Sequence, residues 1–348
     1  MVANLPGSMH TSGFLRRVPK IQLHCHLEGT LRAATFLDLS ARSGASPVPR
    51  HPDEVYRFAD FAEFLLTFAA VSRLLRDPED YGRLASEYAH DAAAQRVRYA
   101  EVFISPSVWQ FFHPDLDVRA CVAAMRAEFD AARSRDGLDV RLICDLTRNF
   151  GVEAAMRTAQ LAVSLTDLGV IGVGLGGDEA RYPARLFEAP FAFARAHGLH
   201  AVAHAGEADG PESVRGAIES LGAERIGHGI RALESREVLE LVTFRGVPLE
   251  ICPTSNFLTG VASRDRPHPL LELDAAGAIL AIDADDPALF RTSITDEYAY
   301  VAGIAGEATL RRFVQNAIDA SFAEDGVKRM LGEQLRSASV EPPAERRS

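Results

Sequence analysis

Eight short apolar runs, separated by helical patterns, constrain the fold of this chain more than any other feature. They lie at about 20–26, 97–105, 138–146, 169–175, 199–205, 225–230, 247–252 and 278–284. Most are mixed apolar stretches bounded by Gly, Pro or charge, without polar alternation. Strands covered on both faces read this way. Between them, residues 117–135 place Val118, Cys121, Val122, Met125 and Phe129 on one helical stripe. Segments 151–167, 184–197, 211–221 and 234–245 are also read as helices, and Pro211-Glu212 makes a good first turn. Strand and helix alternating eight times predict an α/β fold, a (β/α)8 TIM barrel. One domain is expected over 14–335, with a polar tail over 336–348.

The first connection is longer than the others. Residues 30–96 are read as a helical insertion after strand one, including an aromatic stretch from Phe58 to Phe68. An insertion at that point falls at the catalytic end of a barrel and is expected to act as a lid. Phe61, Phe64, Leu65 and Phe68 either line the site or pack the insertion onto the barrel.

Four of the runs end in groups that bind metals or move protons. His24 and His26 are two apart on a strand, so both face the barrel interior while Cys25 faces away. Two converging imidazoles suit an ion of the Zn²⁺ type. Glu28 follows in the mouth of the site, where it orients a ligand or caps a helix. His204 ends the fifth run. Glu207, three residues on, is a loop carboxylate placed to exchange protons with a substrate. His228 ends the sixth run between two glycines, as a metal ligand or as a group that polarises water. Asp283, Asp285 and Asp286 crowd the end of the eighth run, at a cost unless cations offset them. Alternation puts Asp283 and Asp285 on one face. Three histidines and one aspartate can hold one ion with a water, whose pKa falls to roughly 7.

Composition narrows the partners. The net charge is -11 and the pI about 5.5, which disfavours nucleic acid and anionic membranes. Cys25, Cys121, Cys144 and Cys252 are scattered and read as buried thiols of a reducing compartment. Met1 to Pro19 has no apolar core of a signal peptide, so a cytoplasmic protein is expected. The only lysines are Lys20 and Lys328, neither in the interior of a predicted strand. Schiff-base chemistry and a carboxylated-lysine bridge between two metals are therefore disfavoured.

Six segments now carry a resemblance. They are Pro19 to Gly29 (PKIQLHCHLEG), Gly176-Gly177-Asp178-Glu179, His204-Ala205-Gly206-Glu207, Arg225-Ile226-Gly227-His228-Gly229, Ile251 to Asn256 (ICPTSN) and Asp285-Asp286-Pro287. Their types and order resemble those of adenosine deaminases, a branch of the amidohydrolase superfamily, over about residues 14–300. The resemblance implies one Zn²⁺ held by His24, His26, His204 and Asp285. Glu207 would deliver a proton to purine N1, and His228 would orient the zinc hydroxide that attacks C6. Asp286 would bond N7, and the Gly177 N–H would contact N3. Glu28, Phe64, Leu65 and Phe68 would complete the substrate site. Residue spacing leaves His228 open between two roles; the resemblance puts it outside the metal shell.

Three departures bear on the substrate. Adenosine deaminases commonly have Asp at the position of Glu28, implicated at the ribose 5′ end. They commonly have Asp at the position of Gly174. Before the aspartate pair they often have Asn-Thr or Ser-Thr, where this chain has Asp283-Ala284. The expected reaction is hydrolytic deamination of a 6-aminopurine, most simply adenosine to inosine. Aminodeoxyfutalosine, with the same base and a bulky 5′ group, and free adenine are the alternatives. The ligand class is a small molecule, and a homo-oligomer is compatible with the sequence. A binuclear phosphoesterase or lactonase would need a bridging Lys or Glu at strand four. That strand reads Val170 to Leu175 without one.

Overall fold

The computed structural model describes residues 13–44, 51–58 and 61–338. Residues 339–348 of the expected tail, and the Phe61 side chain, lie outside the described residues. Eight strands form one sheet: β1 (Lys20–His26), β2 (Val97–Ile104), β3 (Asp139–Asp145), β4 (Val170–Gly174), β5 (His200–Ala205), β6 (Arg225–His228), β7 (Leu249–Ile251) and β8 (Leu280–Ile282). They pair in sequence order, each parallel to the next. The seam between β8 and β1 is fastened just beyond β8. The Asp285 N–H donates to the His24 carbonyl at 3.1 Å, and the His26 N–H donates to the Asp285 carbonyl at 2.9 Å. The Leu23 N–H donates to Asp283 Oδ1 at 2.7 Å. The result is a nearly closed (β/α)8 barrel, as expected.

β7 and β8 are shorter than the runs that predict them. Pro248 has no N–H to give to the ladder, and Gly277 (φ 86°) turns the chain into β8. Side-chain caps and glycines set the helix ends. Asp117 accepts from the Ala120 N–H to open Val118–Asp136, and Gly137 (φ 68°) closes it. Pro211–Gly216 runs into a π-turn over Ala217–Leu221, and Gly151–Ser164 gives way to a 3₁₀ turn at Thr166–Leu168.

The first connection holds the helices Ala33–Ser43, Pro52–Val55, Phe61–Leu74 and Pro78–Ala94. The last of these packs along Val118–Asp136 as an ordinary barrel helix. Phe61–Leu74 is the segment that reaches the mouth of the barrel.

Inside the barrel, Phe103, Ile143 and Val202 form a small apolar layer with Phe322 against it. A polar layer joins it. Arg225 Nη2 bonds Glu101 Oε2 at 2.6 Å and Arg225 Nε bonds Glu250 Oε1 at 2.5 Å, all three side chains being at most 1% exposed. The four cysteines are free and buried. Among the described residues, no helix is long and apolar enough to cross a membrane.

Candidate active site

The C-terminal ends of β1, β5 and β6 meet the segment after β8. His24, His26, His204 and Asp285 each offer an atom within 4.8 Å of the others. His26 Nε2 lies 3.1 Å from His204 Nε2. His24 Nε2 and His26 Nε2 each lie 3.4 Å from Asp285 Oδ1. Four ligands about 2.05 Å from a tetrahedral Zn²⁺ would stand about 3.3 Å apart. The spacing therefore fits a single ion of that size. Phe103 stacks on His26 at 5.1 Å and Phe68 meets its edge at 6.1 Å, which fixes the ring.

The electrostatics fit a cation as well. Burial lowers His204 well below the usual imidazole range and His26 to about 4, so both lone pairs are free to bind. Burial alone would raise Asp285. Contact with His24, and the charges of His24, His228 and His26, hold it well below the usual carboxylate range. Burial would lower His24, yet Asp285 and Glu250 on its two sides lift it well above its ordinary value. Two carboxylates thus call for positive charge at this point, which a divalent ion supplies. The second nitrogen of His24, Nδ1, lies 2.9 Å from Glu250 Oε2. That bond leaves Nε2 as the lone pair facing the cluster.

Backbone conformation corrects the expectation for the three aspartates. β8 ends at Ile282, and Asp285 adopts φ 62°, so period two does not run on from Asp283 to Asp285. Asp283 turns to the Leu23 N–H, whereas Asp285 turns to the histidines. His228 has φ 62° too. Non-glycine residues in this region cost about 1–3 kcal/mol each and concentrate at functional sites.

His228 and Glu207 face each other, with Nε2 3.6 Å from Glu207 Oε2. Behind His228, Nδ1 lies 3.1 Å from Asn256 Nδ2, Asn256 Oδ1 lies 3.2 Å from His268 Nε2, and His268 Nδ1 accepts the Leu270 N–H. Reading back from that N–H, the Asn256 amide donates to His228 Nδ1, so the ring's own proton sits on Nε2. Burial keeps His228 neutral by lowering it to about 3. Glu207 is pushed well above the usual carboxylate value by burial first, then by Asp285 and Glu179. Its loop is pinned by Glu179, whose carboxylate accepts the N–H groups of Gly206, Glu207, Ala208 and Asp209 at 2.5–3.2 Å. Asp286 is raised as well, by burial and by its neighbour Asp285. Its Oδ1 lies where a Cβ on Gly29 would approach to 1.9 Å, so position 29 has room only for glycine.

One cavity of about 280 Å³ joins these groups. His26, His204, Glu207, His228, Asp285, Asp286, Gly177, Phe64, Leu65 and Phe68 all line it. Glu28 does not. Its side chain is fully buried, and Oε1 accepts the Trp109 indole N–H at 2.6 Å and the Ser105 N–H at 2.9 Å. Its Oε2 has no partner, and the side chain lies behind the cavity wall rather than along it. The Glu side chain is one methylene longer than Asp and reaches the indole behind the wall. Spacing also gave no role to Glu179, Glu250, Arg225, Asn256 or Asp145. Glu179, Arg225 and Asn256 sit inside the quoted motifs. Asp145, which lines the cavity, carried only the weak signal of a carboxylate ending a strand.

A family model described as adenosine deaminase matches residues 19–338. The chain belongs to the adenosine deaminase family. Members of this family are deaminase hydrolases, and their barrel and metal chemistry agree with the site above. Aminodeoxyfutalosine deaminase of Streptomyces coelicolor is 35% identical over 95% of this chain and 87% of its own length. Adenine deaminase of Arthrobacter aurescens superposes with a TM-score of 0.86 at 27% identity, covering 92% of this chain and 98% of that one. An amidohydrolase of Burkholderia ambifaria with bound Zn superposes with a TM-score of 0.83 at 28% identity, covering 96% and 97%.

Proposed function

We propose that this protein is a zinc-dependent deaminase of 6-aminopurines whose substrate is a nucleoside bulky at the ribose 5′ end, of the aminodeoxyfutalosine kind. The spacing of His24, His26, His204 and Asp285 carries the chemistry. Zinc held there supplies a Lewis acid that brings a water's pKa towards roughly 7. The chain's own residues do the rest. Neutral Glu207 gives its proton to ring N1. The Nε2–H of His228 orients the water oxygen that adds at C6. Asp286, kept protonated by burial, donates to N7, and the Gly177 N–H donates to N3. Addition of water and loss of ammonia exchange the amine for a carbonyl.

The apolar wing of the cavity carries the substrate reading. Val108, Phe111, Phe112 and Phe150 extend the wall made by Phe64, Leu65 and Phe68. Phe111 remains 64% exposed while packing on Phe112 and Phe150, with centroids 5.1 and 5.3 Å apart. Aromatic surface left in water at a cavity rim suits an apolar group on the ligand. Adenosine would instead ask for a polar partner at its 5′-hydroxyl, and Glu28 is committed to Trp109. Free adenine is the second reading, favoured by that same commitment of Glu28, but it would leave the aromatic wing uncovered.

The test is kcat/KM of the zinc-loaded protein on aminodeoxyfutalosine, adenosine and adenine, with zinc counted per chain. Aminodeoxyfutalosine should lead adenosine and adenine by at least about tenfold, a difference of ~1.4 kcal/mol. A lead for adenine would overturn the nucleoside reading, and two ions per chain would overturn the mononuclear site.

A further inference from the structure

Asp145 ends β3 and lines the cavity, yet no role above uses it. It is 5% exposed, and its Oδ1 has no hydrogen-bond partner. Period two aligns it with Ile143, which packs with Phe103 and Val202 inside the barrel. The Asp145 carboxyl therefore points into the mouth above that layer. Its register partner on β4 is Gly174. A Cβ on Gly174 would come within 2.6 Å of the Phe103 ring and 3.1 Å of Asp145 Oδ1, and one on Gly176 within 2.8 Å of Asp145 Oδ2. Adenosine deaminases commonly carry Asp at the position of Gly174. In this chain the carboxyl comes from the neighbouring strand and fills the space in front of the two glycines.

The carboxyl accepts one backbone hydrogen bond, from the Gly176 N–H, and its Oδ1 is left over. Burial pushes Asp145 up to about 7, with the charge of Glu28 adding and those of Arg148 and His24 opposing. A buried polar atom without a partner costs stability. A cavity wall that keeps one points to a ligand.

We propose that Asp145 is a specificity residue that contacts the substrate and takes a hydrogen-bond donor on the N3/N9 edge of the purine. In a nucleoside that donor is the ribose 2′-hydroxyl; in a free base it is N9–H. The edge follows from the wall, because the carboxyl lies against Gly176 and the next residue is Gly177, assigned to N3. The inference rests on the 6-aminopurine reading.

The test compares zinc-loaded wild type with Asp145→Ala and Asp145→Asn on substrates with and without the donor. The pairs are adenosine with 2′-deoxyadenosine, and adenine with 9-methyladenine. Zinc content and Tm are measured alongside. On the pair that the wild type uses, Asp145→Ala should lower kcat/KM roughly 10- to 100-fold for the member with the donor. For the member without it, the change should stay under about twofold. Zinc should be unchanged and Tm equal or higher, which a merely structural carboxyl would not give. Equal losses on both members, or no loss on either, overturn the proposal. Should the wild type turn over neither pair, activity on aminodeoxyfutalosine leaves the function reading standing, and activity on no 6-aminopurine makes that reading fail by itself. Calorimetric binding of adenine and 9-methyladenine to wild type and Asp145→Ala then decides the contact, and equal affinities of the two proteins overturn it.

Discussion

Replacing Glu250 by Gln isolates the support behind one metal-site histidine. Glu250 bonds two donors at once, His24 Nδ1 at 2.9 Å and Arg225 Nε at 2.5 Å. Glutamine has one oxygen for the two. With that oxygen towards Arg225, the amide NH₂ meets Nδ1 and forces the His24 proton onto Nε2, where it blocks the lone pair that faces the cluster. With the oxygen towards His24, the NH₂ opposes the Arg225 N–H and the guanidinium loses a charge partner. Both arrangements cost a charge-assisted hydrogen bond, about 1.5–3 kcal/mol. Outer partners of ligating histidines typically govern 10- to 100-fold in metal affinity, or ~1.4–2.8 kcal/mol. The two estimates agree, so zinc affinity should fall by about that factor. The fold should survive, because Glu101 still holds Arg225 at 2.6 Å. Competition against a chelator of known affinity measures the loss, with circular dichroism as the control for folding. Zinc binding within twofold of wild type would refute the reasoning.

Three further outcomes are expected. Glu207→Gln should keep its zinc and lose nearly all turnover, since the amide cannot deliver the proton; full activity in steady-state assays would remove Glu207 from proton transfer. His204→Ala should lose zinc together with activity, and a zinc-replete variant by elemental analysis would contradict its place in the cluster. Asp145→Asn should raise Tm over wild type by more at pH 8 than at pH 5. Between the ordinary aspartate value of 3.8 and the buried value of about 7, the native state holds a proton that the unfolded chain has released. Wild-type stability therefore falls as pH rises through that window, and the variant removes the fall. Equal Tm differences at the two pH values would show that Asp145 is not raised.

The barrel and the metal cluster are legible in the sequence because both depend on local periodicity. Buried parallel strands leave apolar runs, and a two-residue repeat puts His24 and His26 on one face. His204 and His228 stand at the ends of runs five and six, which a barrel brings to one rim. Alternation stops being informative where the backbone leaves the strand. The positive φ of Asp285 parts it from Asp283, and nothing in the spacing announces that turn. Glu28 shows a different limit. Its position in the motif says substrate, but Trp109, 81 residues away, takes its carboxylate.

The sequence by itself determined the fold and brought His24, His26, His204, Glu207, His228 and Asp285 to one rim, since each lies within a few residues of a strand end. The tertiary structure decided which nitrogen of His24 and of His228 faces the site, because Glu250 on β7 and Asn256 in the helix Pro253–Leu258 take the other one. It also decided which side chains line the cavity: Glu28 leaves it, Asp145 enters it opposite Gly174, and Phe111 and Phe150 extend it. Those assignments depend on contacts across the barrel, between residues that local periodicity does not relate.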